Sequence, residues 1–372
     1  MIHERLNESA MYSGQIEGVG PRYCPSIEDK IVRFADKDSH PVFFEIEEWD
    51  GESVYVQGFS TSLSKEAQEI ALKTIPGLEN VEILRPGYAV EYDMADPLQL
   101  TNSLMSQCLD GLFLAGQING TSGYEEAAAQ GIAAGINAAQ YSFGKEPVTF
   151  GRDTSFIGVL IDDLVTKGVE DPYRMLTARA EHRLILRHDN ADLRLTPLAE
   201  KLGLASPKRA AILRQKQKEI DEGIAALQAS MVHPGHNATL EEMGFGQVKS
   251  RISLFEFLRR HEVTLNDAER LADRLGYSLP TVSAGQSARY QIELTSKYEG
   301  YLNMQQREIE RQRRMESLKI PASFQYANLA GLSYETVEKL SRIRPETVGQ
   351  ASRVAGVRPS DIALLIGHLK GR

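Results

Sequence analysis

The chain has 372 residues, 42% of them hydrophobic and 25% charged, with a formal net charge of −9, which is length enough for two or three domains with cores of their own. No window approaches the roughly 20 apolar residues that a membrane span needs, and Met1-Ile2-His3-Glu4-Arg5-Leu6-Asn7 lacks the apolar stretch of a signal peptide. Two cysteines, Cys24 and Cys108, cannot build a disulfide framework or a Cys-rich zinc site, which reads as a reducing, cytoplasmic compartment, and the acidic balance leaves any RNA contact to local basic patches.

Residues 1–20 hold no strand-turn-helix opening and run into Gly18-Val19-Gly20-Pro21, so the chain reads as starting in a loop. Cys24 follows Arg22 by two residues and has Lys30 and Arg33 within reach; nearby cations lower a thiol pKa. Ser26 is placed to cap a short helix, with Asp29 three residues on and Ile27, Ile31 and Phe34 on its apolar face. The residues alone leave two readings of Cys24 open, a buried structural cysteine and a reactive thiolate. Residues 41–47 and 53–56 are β-rich around an Asp50-Gly51 turn. The spacing predicts a helix over 64–74 with Ala67, Ile70 and Ala71 on one face, ended by Pro76-Gly77.

Residues 81–93 read as further strand. Cys108 precedes the apolar run Gly111-Leu112-Phe113-Leu114-Ala115 and reads as core; the run itself suits a buried parallel strand. Glycines at 116, 120 and 123 follow, permitting positive φ and close backbone approach. Ser122 is placed to cap the next helix with Glu125 as its box partner, and the amides of that first turn favour an anion or a polar ring edge. Ala127, Gly131, Ala134 or Gly135, and Ala138 form a stripe of small residues. The helix runs to about Tyr141, and 143–147 reads as a linker. Two readings stand: an α/β packing unit without ligand, and a cofactor wall.

After Thr149 helical patterns dominate, notably 208–227 and 294–318, the latter ended by Pro321. Gly244-Phe245-Gly246 marks a loop, and the tail, 329–370, reads as short helices broken at Gly331, Pro345 and Gly356. Val354 to Pro359 suits either a helix-turn-helix or a small docking bundle. His233 and His236 have no cysteine or carboxylate spaced to complete a metal site. Arg174, Arg179, Arg183, Arg187 and Arg194, with His182 and His188, make one basic stretch. Lys297, Arg307, Arg311 and Arg314 make another, the last three on one helix face. Tyr298 and Tyr301 suit either base stacking or a core.

The run Ala115 to Gly131 resembles the second flavin-contact segment of flavoproteins with two dinucleotide-binding domains. More specifically it is similar to the MnmG (GidA) family of tRNA-modifying proteins, as are Ile16 to Lys30, Arg85 to Asp93, Asp189 to Thr196 and Gly349-Gln350-Ala351-Ser352-Arg353, in the family's order. The resemblance implies an α/β fold, a partial FAD/NAD(P)-binding Rossmann-like domain with a β-rich insertion, followed by a mainly α-helical C-terminal region. The expected divisions are 1–88, 89–148, 149–296 and 297–372.

By the same resemblance, the whole protein adds an aminomethyl or carboxymethylaminomethyl group to carbon 5 of the wobble uridine in tRNA. It acts as a homodimer with the GTPase partner MnmE, using FAD, NADH and methylenetetrahydrofolate as one-carbon donor. Gly116, Gln117, Asn119, Gly120 and Gly123 correspond to the FAD contact. Gly20-Pro21-Arg22-Tyr23-Cys24-Pro25-Ser26-Ile27-Glu28-Asp29-Lys30-Ile31-Val32-Arg33-Phe34 corresponds to the nicotinamide segment, with Cys24 as a catalytic nucleophile or acid-base group. Arg174, Arg179, Arg183, Arg187, Arg307, Arg311 and Arg314 are the RNA-binding candidates, and the helical tail is the docking part for MnmE and tRNA. The family's amino-terminal GxGxxG loop and its other cysteine have no counterpart here, so the chain is expected to be a fragment. The alternatives are a non-catalytic tRNA- and partner-binding fragment and a relative of the folate- and FAD-dependent tRNA uridine methyltransferase.

Overall fold

A computed structural model describes residues 1–16, 25–49, 51, 53–283 and 285–370. It divides into two compact units, 1–148 with 168–174, and 149–167 with 175–372.

In the first unit, α1 (Ile27–Arg33) is followed by β1 (Phe43–Ile46) and β2 (Val54–Gln57), then α2 (Lys65–Lys73) and α3 (Tyr124–Ser142). Ser26 caps α1 in a reciprocal box with Asp29, and Ser64 caps α2, because a serine oxygen can take up an amide that the first helical turn leaves free. β1 and β2 pair antiparallel, Phe43 opposite Gln57 and Ile46 opposite Val54. Helix α2 buries Ala67, Gln68, Ala71 and Leu72. Ile70, expected on that face, is instead exposed.

Two expected strands are absent. Residues 81–93 have no strand pairing, and 111–115 contribute one isolated bridge, Met105 to Phe113, with Gly111 and Leu112 exposed. Its backbone bonds go to the chain just before it, Ser106 N to Leu112 O at 2.8 Å and Leu114 N to Leu104 O at 3.1 Å, an antiparallel return and not the ladder of a buried parallel strand. Cys108 is likewise no core residue. It is exposed in a turn where its amide donates to Ser106 Oγ at 3.1 Å.

The second unit is helical: α4 (Phe156–Lys167), α5 (Ala191–Lys201), α6 (Pro207–Ala229), β3 (Met231–Val232), α7 (Asn237–Glu242), β4 (Ile252–Ser253), α8 (Leu254–Phe257), α9 (Leu265–Arg274), α10 (Gln286–Glu316), α11 (Tyr334–Ile343), α12 (Val348–Arg353) and α13 (Pro359–Lys370). Its main core joins Leu227, Phe255, Phe257, Leu271 and Ile292. Gly223 lets α6 approach α10, since a Cβ there would stand 2.7 Å from Ile292 Cδ1. Helix α10 runs unbroken through the division expected at 296/297 and ends at Glu316 with Ser317 as C-cap, ahead of Pro321. Gly300 interrupts its sequence but not its hydrogen bonding, a tolerable cost of about 1 kcal/mol.

A buried ionic cluster ties distant segments of this unit. Arg152 reaches Asp162 at 3.1 Å, Asp163 at 2.8 Å and Glu181 at 2.7 Å. Asp163 also takes Lys167 at 2.6 Å, and Arg353 of α12 holds Asp162 at 2.6 Å and reaches Glu316 of α10. Burial pushes the Asp163 carboxyl up, but Arg152 and Lys167 outweigh it and hold it below its ordinary value of 3.8. Removing one partner strands the others, at about 3–5 kcal/mol for a buried pair. Arg152→Met is therefore expected to lower the unfolding free energy of this unit by about that amount in denaturant titration. Because the folded pKa of Asp163 is depressed, its stabilisation is present above pH 3.8 and fades as pH falls through the lower folded value. Asp163→Asn should flatten the acid limb of the melting profile; an unchanged acid limb would contradict this assignment.

Candidate functional site

The glycine bend of the first unit is set by backbone geometry. Gly116 opens it at φ +88°, residues Gln117–Asn119 form one 3-10 turn, and Gly120 closes it left-handed at φ +76°. Helix α3 begins at Tyr124 with Gly123 as N-cap and no side-chain cap. Ser122 with Glu125, the expected capping box, is not formed. The Glu126 carboxylate instead folds over Gly123, where a Cβ would lie 1.6 Å from Glu126 Oε2. Glu126 is 3% exposed and receives Arg174 Nε at 3.1 Å. The negative charge favoured at this helix start is thus the protein's own.

The glycines serve protein packing as much as conformation. A Cβ at Gly120 would meet Val169 Cγ1 at 3.0 Å and Met94 Sδ at 3.2 Å. The bend is also fastened from outside: Ala95 N donates to Ile118 O at 2.7 Å, Tyr173 N to Gly120 O at 2.8 Å, and Gln117 Nε2 to Asp93 O at 2.9 Å.

Its centre is Gln130 of α3, fully buried. Gln130 Oε1 accepts from Gly116 N at 3.2 Å and from Asn119 Nδ2 at 2.8 Å. Its Nε2 donates to Thr121 Oγ1 at 2.9 Å and Glu126 O at 3.1 Å. Thr121 Oγ1 donates on to Gly116 O at 3.0 Å, and Asn119 Nδ2 to Leu114 O at 2.9 Å. One side-chain amide uses donors and acceptor together, so both ends of the bend are fixed to α3. Asn119 Oδ1 is buried and has no hydrogen-bond partner among the described residues. Gln68 plays the same part for the Arg85 to Asp93 segment, accepting from Gly87 N at 2.8 Å and donating to Gly87 O at 3.0 Å. Neither glutamine stands out in the sequence; the one signal there is a lone amide on the buried side of a helix.

The small-residue stripe divides. Ala134 is buried and Ala127 and Ala138 half-buried, whereas Gly131 and Gly135 are exposed. Of the nicotinamide segment, Gly20, Pro21, Arg22, Tyr23 and Cys24 lie outside the described residues. Glu28 is fully buried and its Oε1 accepts from Ser62 N at 2.9 Å. Lys30 Nζ donates to Gly58 O at 2.6 Å and Arg33, 71% exposed, pairs with Asp29 at 3.2 Å. Lys30 is therefore spent on a carbonyl rather than held toward an anion. Ile27 is buried, while Phe34, expected on the same apolar face, is exposed.

The basic candidates also separate. Arg187 is engaged by Asp189 at 3.1 Å, Gln291 at 2.8 Å and the Leu184 carbonyl, and Arg194 by the carbonyls of Thr154 and Arg187. Arg174 holds Glu126 and Arg179 reaches Asp163, while Arg183 is exposed. On α10, Arg307, Arg311 and Arg314 are exposed, and their guanidinium groups have no hydrogen bond or ion pair among the described residues. Tyr298, Tyr301 and Met304 precede them, and these too are exposed. Lys297 instead donates to Val263 O at 2.9 Å.

Comparison with known proteins gives three family matches. The model described as Glucose inhibited division protein A matches residues 1–146. The models for the tRNA modifying enzyme MnmG/GidA C-terminal helical domain and C-terminal helical bundle match 207–306 and 308–372. The chain is 50% identical over 372 residues to the tRNA uridine 5-carboxymethylaminomethyl modification enzyme MnmG of Roseiflexus sp. (strain RS-1), covering 100% of this chain and 54% of that protein. The Listeria innocua enzyme of the same name is 49% identical, with 100% of this chain and 58% of the relative covered. The chain thus spans little more than half the length of the curated relatives it matches. The structure of Aquifex aeolicus GidA in its form II crystal superposes with a TM-score of 0.79 at 42% identity, over 94% of this chain and 55% of that one.

Replacing Gln130 by leucine leaves Gly116 N, Asn119 Nδ2 and Thr121 Oγ1 short of a partner in a buried site, at about 1–3 kcal/mol per stranded group. Gln130→Leu is expected to lower the melting temperature and to open the 116–121 bend to limited proteolysis. A variant as stable and as resistant as the wild type would show that the network does not hold the bend.

Proposed function

The chain belongs to the MnmG (GidA) family of tRNA-modifying enzymes, and from that premise we propose that it carries the flavin wall and the RNA-facing helices of an enzyme acting on carbon 5 of the wobble uridine in tRNA. The group added in this reading is aminomethyl or carboxymethylaminomethyl. The observation that carries it is the 50% identity over all 372 residues.

FAD is the cofactor of this reading. The chemistry it supplies when bound is two-electron transfer. The chain's own contribution is a wall: Gly116 and Gly120 give the backbone its turn, and Gln117 donates to Asp93 O at 2.9 Å. The buried, unpartnered acceptor Asn119 Oδ1 fits a site one hydrogen-bond donor short. The described residues fit one edge of such a cofactor; they include no GxGxxG loop for its pyrophosphate. NADH bound along residues 20–34, methylenetetrahydrofolate as one-carbon donor, a homodimer, and MnmE docking on the tail belong to the same proposal through the family resemblance. Cys24 is its nucleophile or acid-base group toward the uracil ring.

The tRNA contact falls on α10. Three unengaged arginines on one side of a long helix, preceded by exposed Tyr298 and Tyr301, suit a phosphate backbone with bases stacked beside it. Arg311→Glu with Arg314→Glu is expected to weaken tRNA binding by at least about tenfold at low salt and to reduce the salt slope by about 0.9 for each phosphate no longer neutralised. A filter-binding series with unaltered affinity would remove α10 from the interface. For Cys24, nucleoside analysis of tRNA from cells relying on an enzyme with Cys24→Ser should show the modification lost; undiminished modification would exclude an essential thiol. Wild-type chain that binds tRNA yet retains no flavin would favour the non-catalytic alternative.

A further inference from the structure

The second unit holds a cavity of about 670 Å³ that joins three of its segments. Asp189 of the turn before α5, Asn266 at the start of α9, and Arg289, Tyr290 and Glu293 near the start of α10 are in its lining. Their charges are already matched. Asp189 takes Arg187 Nε at 3.1 Å, Glu293 has Lys297 Nζ at 3.5 Å, and Arg289 Nη1 donates to Glu269 at 2.8 Å. A phosphate or a metal ion would find no uncompensated partner among these groups, and leaving water for such a site is costly to an ion. A neutral, polar ligand fits better.

Hydrogen-bonding capacity remains on two side chains. Glu293 Oε2 accepts from Leu265 N at 3.0 Å, while Oε1 accepts no hydrogen bond among the described residues and has only the longer ion pair. Asn266 Oδ1 accepts from Arg289 Nη2 at 2.6 Å, which fixes the amide and leaves Nδ2 a donor without a partner among the described residues. Glu293 is held to the amide of Leu265, and Asn266 is the next residue, so the free acceptor and the free donor belong to one site. Tyr290, 54% exposed, adds an aromatic ring. It stands on the helix that carries Tyr298 and Tyr301, roughly 16 Å along the axis from Tyr301 at about 1.5 Å per residue. A short single strand spans that distance.

We propose that this cavity receives one unstacked base of an RNA lying along α10. The base ring stacks on Tyr290, an imino N–H donates to Glu293 Oε1, and the neighbouring carbonyl accepts from Asn266 Nδ2. Guanine and uracil share that edge, whereas adenine and cytosine have no imino hydrogen and would leave Glu293 Oε1 dry and unpaired. The lining holds no thiol, so the base is held and not modified. The proposal rests on the reading of α10 as the RNA-facing helix and names a base-reading site for it.

The test is fluorescence anisotropy of the full chain with four labelled ten-nucleotide RNAs, one all adenosine and three carrying a single central guanosine, uridine or cytidine. The guanosine and uridine RNAs are expected to bind at least about fivefold more tightly than the other two, and whichever of them is tighter identifies the base. Tyr290→Ala should abolish the difference without changing the salt slope, since it removes a stacking ring and no phosphate contact. Tyr290→Phe should preserve it. Tyr290 is largely exposed, so the melting temperature should not move with either variant. Glu293→Gln should bring the guanosine and uridine RNAs down to the adenosine level. Equal affinity for all four RNAs, a preference that survives Tyr290→Ala, or no binding of any of them overturns the proposal. Arg311→Glu with Arg314→Glu should weaken all four alike and keep the preference. A preference present while that double variant binds as the wild type does supports the cavity and counts against the arginine face.

Discussion

A single buried amide governs the first unit. Gln130 satisfies Gly116 N, Asn119 Nδ2, Thr121 Oγ1 and Glu126 O at once, and no apolar side chain of its size could do so. In a low-dielectric interior each of those groups is costly to leave unpaired. This requirement orients α3, because the helix must turn its polar side to the bend. The outward display of Ala128, Gly131 and Ile132 follows from it. Glu126, four residues before Gln130, is drawn into the same interior and takes the place at Gly123 that a ligand anion would otherwise have.

The second unit solves a different problem. Its segments are joined across long sequence separations by charge, with Arg353 of α12 bound to Asp162 of α4, 191 residues away. A buried ion cluster adds little net stability compared with an apolar core, yet it penalises any arrangement that separates its members. Of the basic stretch between 174 and 194 the cluster takes Arg179, and Arg174, Arg187 and Arg194 are engaged by other groups, whereas Arg307, Arg311 and Arg314 of α10 stay exposed. For a chain of net charge −9, local concentration of arginine on one helix is the arrangement through which a polyanion can still be held.

What could be read from the sequence was what is decided locally. Ser26 with Asp29 caps its helix because capping needs only neighbours within one turn. The hairpin at 43–57 and the long helices α6 and α10 follow from alternation and period. Residues 111–115 have the composition of a buried parallel strand but pair with a short antiparallel return at 104–106, and no local pattern reveals that. Ser122 looked the better cap than Gly123 because the competitor, Glu126, is set by Arg174, 48 residues on. Gln130 appeared as a polar interruption in an alanine-rich helix; its meaning depends on a loop nine to fourteen residues earlier. The family was legible because its motifs are long, whereas the engagement of Arg187 and Lys30 with the protein itself was not.

Amide hydrogen exchange of the chain without added ligand tests most directly whether the bend is built in advance by α3. If Gln130 holds it, the amides of Gly116, Asn119, Gly120 and Tyr173, each hydrogen-bonded in this arrangement, exchange as slowly as the interior of α3. Exchange of these four at the rate of an open loop, with α3 still protected, would contradict the account.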